Sequence, residues 1–305
     1  MATNKPVQQV TAPPAVAQPP AAIPTPPPKT ALDLLREAAE KADPVAQFKL
    51  GLVYVAGKEA PQDLPKAIEW WKKAASNGSV AAAYNLAVFY SQGTGVAANP
   101  TEAAKYFRQA AEAKDKSAQY NLGVLYANGS GVTQDLSEAA KWFRQAAEQG
   151  EANAAFSLAQ MYLGNQGVPL DLAEGYLWLS AAAALGQREA ETMRDDLVGQ
   201  MKPAQLAEGR LRNARRGDKE DQFNIGEAYA KGEGVPRDAG QAAKWYREAA
   251  AKGHPEAQLK LGLACRDGVG VPKDPAGATK EFRLAAELGH IKAQVLLANA
   301  LAEGD

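Results

Sequence analysis

The stretch Tyr120–Val132, YNLGVLYANGSGV, decides how the whole chain is read. It carries an apolar run into a small glycine cluster, Gly129-Ser130-Gly131. Between a strand and a helix, such a turn can cradle a phosphate on its backbone N–H groups. Between two helices it only reverses the chain, with glycine supplying positive φ where the first helix stops.

The stretch recurs. Tyr54, Tyr90, Tyr126 and Tyr162 are spaced by 36 residues, as are Leu50, Leu86, Leu122 and Leu158. Paired alanines begin at Ala74, Ala110, Ala146 and Ala182, and Trp71, Phe107, Phe143 and Leu179 form another column. After residue 217 the pattern resumes with Ile225, Tyr229, Tyr246, Ala249 and Ala250, then with Leu261, Cys265, Phe282, Ala285 and Ala286. A final half unit holds Ala293, Leu297 and Leu301. The glycine loop returns at Gly93-Thr94-Gly95, Gly232-Glu233-Gly234 and Gly268-Val269-Gly270, and in weakened form at Asn165-Gln166-Gly167. Every copy follows a helical stripe and none follows a strand, so the loop is read as a turn.

Each unit reads as two helices. Ala118, Leu122, Leu125 and Tyr126 share one stripe of the first. Asp135 then stands as an N-cap with Glu138 three residues on, the spacing of a capping box, repeated by Asn99/Glu102, Asp171/Glu174 and Asp238/Gln241. Pro100 and Pro275 fall at first helical positions. The second helix carries Ala139, Trp142, Phe143, Ala146 and Ala147 and ends at Gly150.

The pattern A-x-x-x-L-G-x-x-Y-x-x-G-x-G-V, then D, then A-x-x-W-[FY]-x-x-A-A-x-x-G resembles the Sel1-like repeat family, relatives of the tetratricopeptide repeat. The unit from Ala118 to Gly150 matches it best. Departures are Ala87 and Ala159 in place of glycine, a first loop (Gly57-Lys58-Glu59-Ala60) without its second glycine, and Cys265 in place of tyrosine. The resemblance implies an all-α fold, a right-handed α-solenoid of 36-residue helix-turn-helix repeats. It implies adaptor or scaffold roles, often in bacterial envelope processes or signalling, with no general catalytic residues. A cysteine-rich subgroup is associated with penicillin binding, and a single cysteine argues against membership.

Four segments are expected. Residues 1–30, which hold nine of the 19 prolines, form a disordered Pro/Ala-rich linker. Residues 31–186 hold a half unit and four repeats, 187–217 a degenerate helix pair turned at Met201-Lys202-Pro203, and 218–305 two repeats and a half unit. The closing half unit lacks a second helix, so its open face is a second place where a partner could associate.

Composition excludes several functions. Thirty-four basic against 35 acidic side chains and no basic block argue against a nucleic-acid partner. Two histidines and one cysteine are poor material for a metal site, and no cofactor is expected. No segment reaches the roughly 20 apolar residues of a membrane span, so no direct membrane insertion is expected. His254 and His290, also 36 apart, are weak metal or pH candidates, Cys265 reads as an inert thiol, and the Lys141/Arg144 pair reads as a solvated outer face.

The candidate site is the groove lined by the first helices. One column reads Phe48, Tyr84, Tyr120, Phe156, Phe223, Leu259 and Val295; the next reads Leu52, Val88, Val124, Gln160, Glu227 and Leu263. The front is aromatic and aliphatic, whereas the rear gains Glu220, Glu227, Glu256 and Arg266. The aromatic column is either a ladder holding an extended peptide or partner helix, or a set of ordinary packing residues. The resulting expectation is a non-enzymatic protein–protein scaffold or adaptor, periplasmic or alternatively cytoplasmic. The alternatives are a structural envelope spacer and, behind it, a small-molecule binder or enzyme, for which no convergent polar cluster was found.

Overall fold

Two alanines per second helix are what allow these helices to stack closely. The computed structural model describes residues 29–303, so all but Lys29 and Thr30 of the expected linker lie outside the described residues. Within them the chain forms sixteen α-helices and no strand. They are α1 (Ala31–Glu40), α2 (Pro44–Ala56), α3 (Leu64–Ser76), α4 (Val80–Gln92), α5 (Pro100–Glu112), α6 (Lys116–Asn128), α7 (Leu136–Glu148) and α8 (Ala152–Leu163). Then follow α9 (Leu172–Ala184), α10 (Arg188–Gln200), α11 (Pro203–Arg215), α12 (Lys219–Lys231), α13 (Ala239–Ala251), α14 (Pro255–Asp267), α15 (Pro275–Glu287) and α16 (Ile291–Glu303). The pairs α2/α3, α4/α5, α6/α7, α8/α9, α12/α13 and α14/α15 pack face to face, and each second helix also packs on the helix that follows it, α9 on α10 included. The lone α1 plays the second-helix role against α2.

The core runs along the stack. Leu50, Leu86, Leu122 and Leu158 are fully buried, as are Ala74, Ala110, Ala146 and Ala182. Small residues set the helix separation: a Cβ on Gly123 would lie 2.7 Å from the Phe143 ring. At several junctions a glutamine adds a second donor to a carbonyl near the end of the preceding second helix, one that already accepts a backbone N–H from its own last turn. Gln47, Gln119 and Gln222 donate through Nε2 to Ala39, Ala111 and Ala214 at 3.0–3.1 Å. Where Ala83 occupies that column, Gln109 of the unit's own second helix supplies the donor to Ala75, at 2.7 Å. Each bond uses the second lone pair of its carbonyl and gives the buried Gln47, Gln119 and Gln222 amides a partner in the preceding unit.

The glycine loop is part of the same stacking. Gly129 caps α6 with φ 67°, and Gly131 follows at φ 73°. A Cβ on Gly131 would sit 2.1 Å from the Pro100 carbonyl oxygen, at the first turn of the preceding unit's second helix. The loop backbone rests on its neighbour. Asp135 then accepts from the Glu138 amide at 2.9 Å. The reciprocal arm of the expected capping box is not made, because Glu138 pairs with Lys141 at 2.8 Å instead.

One joint interrupts the stack. Ala190 lies 36 residues after Ala154, and Ala214 lies 36 before Ala250. Thus α10 keeps the front register and α11 the rear one. Seven residues, 93–99, join α4 to α5, but only Met201 and Lys202 join α10 to α11. Five residues short, α11 cannot fold back along α10. It packs on α9 and α12 instead, with Gly209 so close that a Cβ would lie 3.0 Å from the Tyr176 ring. Gly131→Ala is expected to destabilise the protein by ~2 kcal/mol or more, through strain at positive φ and the clash with Pro100, while Ser130→Ala stays within ~0.5 kcal/mol. Urea unfolding of both variants checks this.

Candidate functional site

The predicted ladder is a set of stacked pairs rather than a row of free rings. Phe48 stacks on Trp71 at 6.2 Å between centroids, Tyr84 meets Phe107 edge-on at 5.8 Å, and Tyr120 meets Phe143 at 5.8 Å. In the rear, Phe223 packs on Tyr246 at 6.0 Å and stacks on His254 at 4.6 Å. Each first-helix ring thus lies on the aromatic residue of its own unit's second helix, which accounts for part of its burial. Phe48, Tyr84, Tyr120 and Phe223 remain half-buried, whereas Phe156 and Leu259 are buried in the core and Val295 is exposed. In the second column Leu52 and Gln160 are exposed, and Val88 and Val124 are half-buried.

The Tyr84 and Tyr120 hydroxyls meet no hydrogen-bond partner among the described residues. Other tyrosines do. Tyr126 accepts from Arg108 at 2.6 Å, Tyr162 accepts from Arg144, and Tyr246 donates to Glu227 at 2.6 Å. Tyr54, Tyr106 and Tyr229 likewise have no hydroxyl bond among the described residues, so what sets Tyr84 and Tyr120 apart is their place on the inner side of neighbouring first helices.

The rear of the groove is closed by structural ion pairs. Glu227 accepts from Tyr246 and pairs with Lys260 at 2.8 Å and Lys231 at 3.1 Å. Burial works against its charge, yet the bonds from Lys260, Tyr246 and Lys231 hold its carboxyl down to about 2. Glu220 and Glu256 face His254 and His290 at 3.1 and 2.6 Å. Both histidines are N-caps: Nδ1 of each accepts a backbone N–H, from Ala257 and Ala293. An Nδ1 that accepts leaves the proton on Nε2, aimed at the glutamate. No group of three His, Cys, Asp or Glu side chains able to hold a metal occurs among the described residues. Arg266 lies against Asp267.

Two further readings are corrected or refined. Arg144 is not a solvated outer-face residue: it bonds Tyr162, pairs with Glu174 at 3.6 Å and lies over the Trp178 ring. Its role is to tie one unit to the next, whereas Lys141 is exposed and paired with Glu138. Cys265 is half-buried, and burial pushes its thiol up, away from the reactive thiolate form. Sequence reasoning also missed Asp221, a buried carboxylate in a column of alanines that runs through Ala118, Ala154, Ala190 and Ala257.

Stacked helix pairs with half-buried inner aromatics define a right-handed α-solenoid of the tetratricopeptide-like kind. The Sel1 repeat signature matches residues 44–79, 80–115, 116–151, 152–187, 220–254 and 255–290, and the chain belongs to that family. Sel1 repeat proteins generally mediate protein–protein interaction. Among solved structures, the chain is 32% identical to c5321, a protective antigen of uropathogenic Escherichia coli strains with an SLR fold, over 91% of this chain, with a TM-score of 0.53. The match spans 60% of the length of that protein. A Sel1 repeat protein from Oxalobacter formigenes is also 32% identical, over 88% of this chain and 79% of its own, with a TM-score of 0.48. No match was found among the curated proteins. Among the described residues no helix is long and apolar enough to cross a membrane.

Glu227 has a folded-state pKa below its ordinary value of 4.5, so its stabilisation is complete above that pH and is lost as pH falls toward 2. Between about pH 6 and about pH 3, Glu227→Gln is expected to lose less stability than the parent, by on the order of 1 kcal/mol after allowing for solvent screening. Urea midpoints at the two pH values measure the difference.

Proposed function

We propose that the chain is a non-catalytic scaffold that holds an extended segment of a partner protein along the first helices of its front half. The observation that carries this reading is the run of half-buried, stacked rings Phe48, Tyr84 and Tyr120 on consecutive first helices, flanked by exposed Leu52 and half-buried Val88 and Val124. By the geometry of stacked helix pairs, first helices line the inner surface of the superhelix. Apolar ring faces fixed by stacking, with polar tips left open, suit a peptide whose backbone offers a donor and an acceptor at each residue. The exposed Ile291, Val295 and Leu301 on α16 offer the same partner, or another, a second apolar contact. The periplasm is the compartment that goes with this reading, on the strength of the Ala/Pro-rich leader, and the cytoplasm is the alternative.

Replacing the ladder rings by alanine would also remove core packing, so the test uses exposed positions. A photo-crosslinking side chain placed at Leu52 or Gln160 is expected to capture a protein partner in the native cell, while one at the outer-face Lys141 is not. Capture from Lys141 alone would move the partner to the outer face, and capture from none of the three would leave the spacer reading. As a finer check, the double variant Tyr84→Phe/Tyr120→Phe keeps the stacking. It should fold as the parent does and weaken the captured complex by about tenfold, the worth of one to two hydrogen bonds.

A further inference from the structure

The columns that are apolar in every other unit become polar at the joint. Arg194 stands where α2, α4, α6 and α8 carry the buried leucine, 36 residues after Leu158. Arg210 stands in the aromatic column, 36 before Tyr246, and Asn213 in the alanine column, 36 before Ala249. Asp221 takes the place of an alanine, 36 before Ala257. These are four separate columns on three helices, and all four side chains line one cavity of about 470 Å³ between α9, α10, α11 and α12. The cavity is there because α11, held short, diverges from α10 and leaves the inside of the pair open.

Part of this polarity is internally satisfied. Asp221 is 3% exposed and accepts from the Tyr176 hydroxyl at 2.8 Å and from Asn213 Nδ2 at 2.7 Å. Burial pushes its carboxyl up, and neutral donors hold it in place. Arg194 is engaged by Asp195 through two bonds, at 3.0 and 2.8 Å. The remainder forms no hydrogen bond. Arg210 Nε is buried without a hydrogen-bond partner, 3.9 Å from Asp221 Oδ1 and so too far to bond. The Glu191 carboxylate and the Asn224 amide line the same cavity and form no hydrogen bond or ion pair among the described residues. A buried donor left unmatched costs about 1–3 kcal/mol, and natural interiors rarely carry that cost without a ligand or water to meet it.

We propose that this cavity binds a small zwitterion of the amino-acid or short-peptide class, its carboxylate on Arg210, its ammonium on Glu191 and any amide on Asn224. The volume is in the range of small-ligand pockets. A guanidinium without a hydrogen bond, held only loosely by Asp221, and an exposed carboxylate in the same cavity match a ligand that carries both signs, and neither a simple anion nor a simple cation would meet both. The site is separate from the proposed peptide groove, since it lies at the joint and uses none of the ladder residues. A ligand here would bridge α10 to α11 and α12 and so fix the angle between the front and rear arrays.

The test is titration calorimetry on the full chain with L-alanyl-L-alanine, its C-terminal amide, its N-acetyl form and the common L-amino acids. Saturable binding of the dipeptide or of a free amino acid is expected, weakened about tenfold or more by blocking either end. Glu191→Gln and Arg210→Gln are each expected to weaken binding by a similar factor. Glu191 is exposed, so Glu191→Gln folds as the parent does and keeps the test valid even if Arg210→Gln proves unstable. No saturable binding of any zwitterion up to about 10 mM would overturn the proposal, as would an amide that binds better than the free dipeptide, or binding indifferent to Glu191→Gln.

Discussion

The close approach of one helix pair to the next is the constraint on which this structure depends. It needs alanine at the crossing points and glycine where a loop touches the preceding unit, and at most junctions a glutamine adds a bond from one unit to the helix end of the last. Ala110, Ala111, Gly131 and Gln119 supply these at one junction, with the two alanines essentially inaccessible to solvent. A larger side chain at any of these points would push two units apart and open the column on both sides. In a one-dimensional stack that strain stays local, because each unit touches only its neighbours.

The same constraint explains why the joint differs. Removing five residues from the loop between α10 and α11 leaves each helix in register with a different half of the chain. Both helices keep a neighbour to pack on, and what they lose is each other. The side chains that would have met inside the pair are then released from the demand to be apolar. Three of them, Arg194, Arg210 and Asn213, are charged or amide residues, and Tyr176 of α9 reaches into the same space to bond Asp221 of α12. Two kinds of surface result: an inner face of stacked rings at the front, and a polar cavity where the regular core is missing.

Most of the fold could be read from the sequence because its signals are local or strictly periodic. Helix starts at Pro100 and Pro275, caps at Asp135 and Asp238, and the turn at Met201-Lys202-Pro203 all depend on residues within one turn of each other. The candidate site was less legible, since burial of a groove residue is set by the neighbouring unit. Phe156 and Tyr120 occupy one column, yet only Phe156 is buried. Arg144 read as a surface residue because its partner, Tyr162, is 18 positions away and in the next unit. The glutamine clamps were visible in principle, since Gln222, Gln258 and Gln294 keep the repeat spacing. Asp221 and Arg194 could have been found by carrying the columns across the break in both registers. A single register loses one helix or the other.

The central claim is that one shortened loop replaces a packed helix pair by an open polar joint within an otherwise continuous core. Only Ala190 and Leu197 of α10 are buried, against eight residues of α9, so the two helices should differ sharply in local stability. Native-state hydrogen exchange, resolved by helix, measures this directly. The account predicts that the backbone amides of α10 exchange fastest among the helices from α4 to α15, while α9 stays among the most protected. Protection of α10 equal to that of α6 or α8 would contradict it and show that the pair is closed in solution.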